Sequence, residues 1–232
     1  MNNITIAIDG FSSTGKSTVA KQLAKYLGYV YVDSGAMYRA VTLYAMQKGL
    51  IDVNNFNKEA LINELPNIKI EFKFNNSLGF AEVYLNENNV EKYIRTLKVS
   101  SFVSRIAEIS QVRQKLVEQQ QKMGENKGVV MDGRDIGTVV FPDAELKLFM
   151  IASAETRAER RYKELVENGE LINYNDVLNN VKERDYIDSN RKDSPLVKAK
   201  SAIEIDNSNM SLKEQFDKII QLVEKTIANL KP

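Results

Sequence analysis

The chain has 232 residues, 43% hydrophobic and 27% charged, and its 32 Lys and Arg against 31 Asp and Glu leave a formal charge of +1. Such a composition excludes wholesale disorder, supports a core large enough to fold without staples, and argues against a sequence-blind nucleic-acid binder. With neither Cys nor His, a Cys/His zinc site, a disulfide, a thiolate nucleophile and a Ser-His-Asp triad are all excluded.

The first residues, Met1 to Asp9, carry neither a basic region nor an apolar stretch of signal length. The longest apolar run elsewhere, Leu148 to Ala152, is far too short to span a bilayer. The expectation is a cytoplasmic chain with no membrane partner.

Ile4, Ile6 and Ile8 form a short apolar run ending at Asp9-Gly10, which predicts a buried strand entering a turn. Val19, Ala20, Leu23, Ala24 and Leu27 then recur at helical spacing, with Gly28 as the stop. Tyr29 to Val32 predicts a second strand, and Ala40 to Met46 a helix ending near Gly49. Beyond Pro66, Ile68, Ile70, Phe72 and Phe74 alternate with Lys69, Glu71 and Lys73, and Phe80 to Leu85 alternates again after the turn 75–79. Strands with one wet face belong to antiparallel sheets, so 63–97 is expected to be a small inserted β subdomain within a core formed by 1–62 and 98–232.

From Val99 to Met123 the pattern returns to helix, and 128–131 and 146–151 read as buried core strands. Ser153 is placed to cap a helix from Ala154 to about Glu167, and a second charged helix is expected over Asp176 to Ser189. A short strand, Ala202 to Ile205, precedes the capping-box pattern Ser211-x-x-Glu214 and a helix with the stripe Leu212, Phe216, Ile219, Ile220 and Val223.

Gly10-Phe11-Ser12-Ser13-Thr14-Gly15-Lys16-Ser17 fits G-x-x-x-x-G-K-[ST], and it joins an apolar strand to a helix. In that setting the loop from Gly10 to Thr18 offers backbone N–H groups to phosphate and the helix N-terminus adds positive charge. Lys16 is expected to reach the β- and γ-phosphates of a nucleoside triphosphate, and Ser17 to ligate Mg²⁺. Asp132-Gly133-Arg134-Asp135 follows a buried run, placing three charges at a strand's carboxyl end, where ligands of open α/β sheets bind. Arg157, Arg160 and Arg161 stand at i, i+3, i+4, and Arg184, Asp188 and Arg191 at i, i+4, i+7. Each set shares a face suited to phosphate. Solvated faces balanced by Glu155, Glu159, Glu164 and Glu183 are the alternative. These features suit a kinase for a small anionic acceptor, against a P-loop switch or another small-metabolite kinase.

The segments Asp33-Ser34-Gly35-Ala36-Met37-Tyr38-Arg39, Tyr93-Ile94-Arg95-Thr96, Asp132 through Ala144, and Lys182-Glu183-Arg184-Asp185 resemble, in order and along nearly the whole chain, the bacterial cytidylate kinases. The resemblance implies a P-loop three-layer α/β/α fold with a parallel core sheet, and a helical lid at about 154–170 that carries Arg157, Arg160 and Arg161. It also implies ATP-dependent, Mg²⁺-dependent phosphorylation of CMP or dCMP by a monomer, with no nucleic-acid partner. By the same resemblance Ser34, Arg113, Asp135 and Arg191 contact cytosine. Ser104, Arg184 and Asp188 contact the sugar, and Arg39 and Arg134 the acceptor phosphate. One departure stands out: the family loop usually continues Gly-Pro and small residues, whereas here Phe11, Ser12, Ser13 and Thr14 intervene.

Overall fold

The computed structural model describes residues 3–77 and 79–230. Leu78 of the predicted hairpin turn and the first two residues of the N-terminal stretch lie outside them. Five parallel strands form the central sheet: β1 (Thr5–Gly10), β2 (Val30–Asp33), β6 (Val129–Gly133), β7 (Leu146–Ile151) and β8 (Ile203–Asp206). Their order is β2-β6-β1-β7-β8, so the chain leaves β1 toward one edge and later returns past it. Where strand order reverses, the crossover segments diverge and leave a crevice at the strands' carboxyl ends.

Both sheet faces are covered, which explains why the central strands read as nearly unbroken apolar runs. Ile4, Ile6, Ile8 and Leu148 pack with Val19 and Leu23 of α1 (Lys16–Leu27) and with Ile219 and Val223 of α8 (Leu212–Asn229). Burying each such aliphatic side chain contributes about 2 kcal/mol. On the opposite face Ala7, Val32 and Met131 meet Ile136 and Val140 of a π-helical turn, Ile136–Val140. A third cluster joins α2 (Ser34–Gln47), α4 (Leu97–Ala107) and α5 (Ser110–Met123) to Ile70, Val83 and Leu85 of a separate antiparallel sheet. That sheet comprises β3 (Ile70–Asn75), β4 (Phe80–Leu85) and the short β5 (Asn88–Asn89).

Several ends form as capping chemistry requires. The Asp33 carboxylate accepts from the Ala36 N–H at the start of α2, and Ser153 caps α6 (Ala154–Glu167). Ser211 and Glu214 make the reciprocal capping box of α8. Four sequence expectations change. The helical pattern over 99–123 is interrupted and forms two helices, because Ile109 is extended and buried between them, while the Arg113 guanidinium donates to the Ala107 carbonyl left open at the end of α4. Helix α3 (Lys58–Glu64) and strand β5 carry no strong period and were not expected. Phe74, expected on the buried hairpin face, is 66% exposed, and Leu212, expected in the α8 stripe, is 61% exposed: each lies at an element's end, where no facing layer reaches it. Helix α7 (Tyr174–Asn190) completes the architecture beside α6. Among the described residues no helix is long and apolar enough to cross a membrane.

Candidate active site

The carboxyl ends of β1, β2 and β6 open into one cleft of about 390 Å³. β1 feeds the phosphate loop through Gly10, whose φ of +143° and whose approach to the Met150 backbone leave no room for a Cβ. Ser13 and Gly15 are also left-handed, at φ +58° and +86°, and turn the loop onto the first turn of α1. Lys16 is buried there, and its ammonium donates to the Phe11 carbonyl and, at 3.3 Å, to the Thr14 hydroxyl. Burial, and then the Arg134 guanidinium, hold Lys16 well below the usual lysine range. An incoming anion reverses that balance. Ser12, Ser13, Gly15, Lys16, Ser17 and Thr18 line the cleft, whereas Gly10, Phe11 and Thr14 support it from behind.

Ser17 Oγ donates to Asp132 Oδ2 at 2.9 Å, and Tyr31 OH donates to Asp132 Oδ1 at 2.9 Å. Burial, then the neighbouring Asp33, raise the Asp132 carboxyl above its ordinary value. A hydroxyl and a buried carboxylate side by side form a fitting oxygen donor pair for Mg²⁺. Among the described residues no group of three or more acidic side chains could hold a metal alone.

Asp33 faces Asp132 across the β2–β6 pair and binds Arg39 at 2.9 Å and Arg95 at 2.7 Å. Burial alone would raise its carboxyl, but Arg39 and then Arg95 hold it well below the ordinary range. Arg95 is further tied to Glu91, at 2.6 Å. Ser34 Oγ donates to the Asp132 carbonyl at 2.7 Å, under Gly133, where a Cβ would lie 2.4 Å from that oxygen.

Two buried carboxylates organise the far wall. Asp188 accepts from Ser104 Oγ at 2.9 Å and from Arg134 Nε at 2.8 Å. Asp135 Oδ2 accepts from Arg113, while its Oδ1 faces Arg191 at 3.9 Å, beyond hydrogen-bond reach. Arg39 Nε, Arg184 Nε and the Tyr38 hydroxyl are buried without a hydrogen-bond partner. Burial, then Arg134, lower Arg184. Unsatisfied buried donors carry a desolvation cost that an anionic ligand would remove.

The three arginines of α6 share one helix face, but their guanidinium groups do not all reach the cleft. Only Arg161 lines the cleft, donating to the Arg95 carbonyl and to Ser100 Oγ at 3.2 Å. Arg157 is buried against the loop: it binds Asp185 through two N–H groups, donates to the Ser12 carbonyl at 3.3 Å, and stacks 5.2 Å from the Phe11 ring. Arg160 donates to the Asn207 side chain at 3.1 Å, and Asn207 in turn donates to the Thr14 carbonyl at 2.6 Å. Helical spacing places the three within one arc, but the guanidinium ends reach different partners because the chains are long. Arg161 also pairs with Glu164 at 2.9 Å, one of the acidic partners of the alternative reading.

Every other substrate-binding candidate, Ser34, Arg39, Ser104, Arg113, Arg134, Asp135, Arg184, Asp188 and Arg191, lines this cleft. Sequence reasoning passed over Tyr31, Tyr38 and Lys21 as residues of strand and helix, and did not assign roles to Asp33, Asp132 and Arg95. The signal for the two carboxylates was their place at strand ends, and for Arg95 its position in Tyr93-Ile94-Arg95-Thr96.

The family model described as cytidylate kinase matches residues 6–225. A protein named cytidylate kinase from Flavobacterium psychrophilum is 68% identical over 223 residues, covering 96% of this chain and 99% of that protein. Another of the same name from Flavobacterium johnsoniae is 67% identical over 227 residues, covering 98% and 99%. Among solved structures, a gluconokinase from Sinorhizobium meliloti 1021 superimposes with a TM-score of 0.51 over 99% of this chain and 98% of its own, at 14% identity. That likeness concerns the fold alone.

Proposed function

The chain belongs to the cytidylate kinase family, and from that premise we propose the reaction its cleft serves: transfer of the γ-phosphoryl group of ATP to CMP or dCMP, giving ADP and CDP or dCDP. The observation that carries the reading is a phosphate loop opening into the same cavity as Arg39 and Arg184, each with a buried Nε that lacks an acceptor. A donor triphosphate on the loop and an acceptor monophosphate against that wall satisfy both.

The acceptor phosphate is largely dianionic above its second pKa of about 6, so its oxygen attacks without a general base. The bond from the γ-phosphorus to the bridging oxygen breaks, and the electron pair leaves with ADP. Catalysis then rests on alignment and on neutralising charge. Arg39 and Arg134 hold the acceptor phosphate. Lys16 leaves the Phe11 carbonyl for the donor's β- and γ-oxygens, and Arg161 stands nearest among the α6 arginines to assist it. Arg157 and Arg160 join only if they exchange Asp185 and Asn207 for phosphate. Ser17 and Asp132 would hold Mg²⁺, which would supply charge neutralisation to the transferring phosphoryl group.

Asp135 Oδ1, with no hydrogen bond to Arg191, is the acceptor offered to the N4 amino group of cytosine. Uracil presents O4 there and is repelled. Ser34 lines the same cleft, and Arg113 and Arg191 frame the carboxylate. Ser104, Arg184 and Asp188, which line the same cleft, are the residues for the sugar. The segment 63–97 closes the acceptor side and 154–170 acts as the lid over the donor. The chain is read as a monomer that acts on free nucleotides in the cytoplasm, without a nucleic-acid partner.

An acceptor panel at fixed ATP and Mg²⁺ tests this. ADP production should depend on CMP or dCMP and be much weaker with UMP, AMP and dTMP. A preference for any of the latter would refute the base assignment.

A further inference from the structure

Asp9 belongs to none of the groups above. It is the last residue before Gly10, the first residue of the phosphate loop, and is 3% exposed. Its two carboxylate oxygens each accept one backbone N–H: Oδ1 from Ile136 at 2.8 Å and Oδ2 from Gly137 at 2.7 Å. Those N–H groups open the π-helical turn and belong to the two residues directly after Asp135. Closing the turn, the Val139 N–H donates to the Asp135 carbonyl at 2.8 Å.

A carboxylate is an acceptor-only group with two oxygens, so it matches two convergent N–H donors, whereas an amide in its place satisfies one and sets an N–H against the other. The backbone on the far side of Asp135 is thus pinned to β1 through Asp9. Asp135 stands at φ −147° and ψ 25°, and its side chain meets Arg113 and Arg191 from that backbone. Rotation of the following peptide planes would carry Oδ1 out of its place between the arginines.

We propose that Asp9 is a positioning residue for base selection: by holding the Ile136 and Gly137 N–H groups it fixes the Asp135 carboxylate in register with Arg113 and Arg191. The inference rests on the reading of Asp135 as the group that meets cytosine. A simple cap would serve any turn, but this one serves the turn that carries the discriminating carboxylate.

Steady-state kinetics of the full chain test it, with KM for CMP and for ATP and the CMP-over-UMP ratio of kcat/KM measured for wild type, Asp9→Asn, Asp9→Ala and Gly137→Ala. The last variant attacks the same bond from the other side, since its Cβ would lie 3.3 Å from Asp9 Oδ2. Expected is a roughly tenfold or greater rise in KM for CMP and a comparable fall in the CMP-over-UMP ratio, with KM for ATP within threefold. Asp9→Asn, keeping one acceptor, should fall between wild type and Asp9→Ala. Should Asp9→Ala fail to fold, Asp9→Asn and Gly137→Ala decide the matter. An unchanged ratio, or equal rises in both KM values, would overturn the proposal in favour of a purely structural cap. A wild-type enzyme indifferent to CMP would instead refute the site reading beneath it.

Discussion

The Ser17 hydroxyl of the phosphate loop and the Asp132 carboxylate at the end of β6 are hydrogen-bonded at 2.9 Å, across 115 residues of sequence. The bond joins the second residue of α1 to the strand that also presents Arg134 and Asp135. Asp132, proposed with Ser17 to hold the cation, and Asp135, proposed to read the base, therefore follow one another closely at the carboxyl end of β6.

From that pairing, Asp132→Asn should lower apparent Mg²⁺ affinity by about 10- to 100-fold with the fold intact, because the amide retains the Ser17 contact but loses the charge. Titrating kcat against Mg²⁺ checks this. An unchanged Mg²⁺ midpoint would place the cation elsewhere.

Lys16→Ala should lower kcat by on the order of a thousandfold, since the transferring phosphoryl group loses its nearest cation. Far-ultraviolet circular dichroism should be unchanged, because Lys16 donates only to the loop's own Phe11 carbonyl and Thr14 hydroxyl. Activity within tenfold of wild type would show that the loop does not hold the donor.

For Asp135→Ala, KM for CMP should rise by roughly tenfold to a hundredfold and the CMP-over-UMP preference should narrow. Asp135→Asn should narrow it as well, because its amide can turn to donate to O4. A preference that survives both changes moves base recognition to another group.

Asp9 sets a pH dependence of defined sign. Burial, opposed by its two N–H bonds and reinforced by Asp135, pushes its carboxyl from 3.8 up to about 6. Between those values the folded chain binds the proton that the unfolded chain has lost, so this group's contribution to stability grows as pH falls through 6 and is complete below 3.8. It is lost again as pH rises, with a magnitude of about 3 kcal/mol. Asp33, held low by its arginines, acts oppositely and loses its contribution in the acid range. Carboxyl ¹³C shifts should show Asp9 titrating near pH 6; a midpoint near 4 would contradict the burial argument.

Much of this was readable from residue order alone, for physical reasons. β1 and β7 announce themselves because both sheet faces are dry, and α6 and α8 because Ser153 and Ser211 cap amphipathic runs. The break at Glu108-Ile109 leaves no such trace: it contains no Gly or Pro, and is held by Ile109 burial and by Arg113 reaching back to Ala107. α3 is only seven residues long, with a single buried side chain, Leu61, so it shows no period. Within the site, strand-end carboxylates and the phosphate loop are local features, and their position follows from the chain's immediate neighbours. Where a long arginine ends is not local. Arg157 and Arg160 share a helix face with Arg161, yet Asp185 and Asn207, supplied by α7 and by the turn after β8, decide their direction. Phe11 explains part of that, since an aromatic ring at this loop position gives the Arg157 guanidinium a surface to stack on.

The claim that one cleft passes phosphorus between two bound nucleotides is tested most directly by following ATP, Mg²⁺ and CMP with the enzyme by ³¹P NMR. The account predicts that the β-phosphate signal of CDP grows in step with ADP, with no inorganic phosphate beyond a trace. Inorganic phosphate formed in step with ADP, and no CDP, would contradict it.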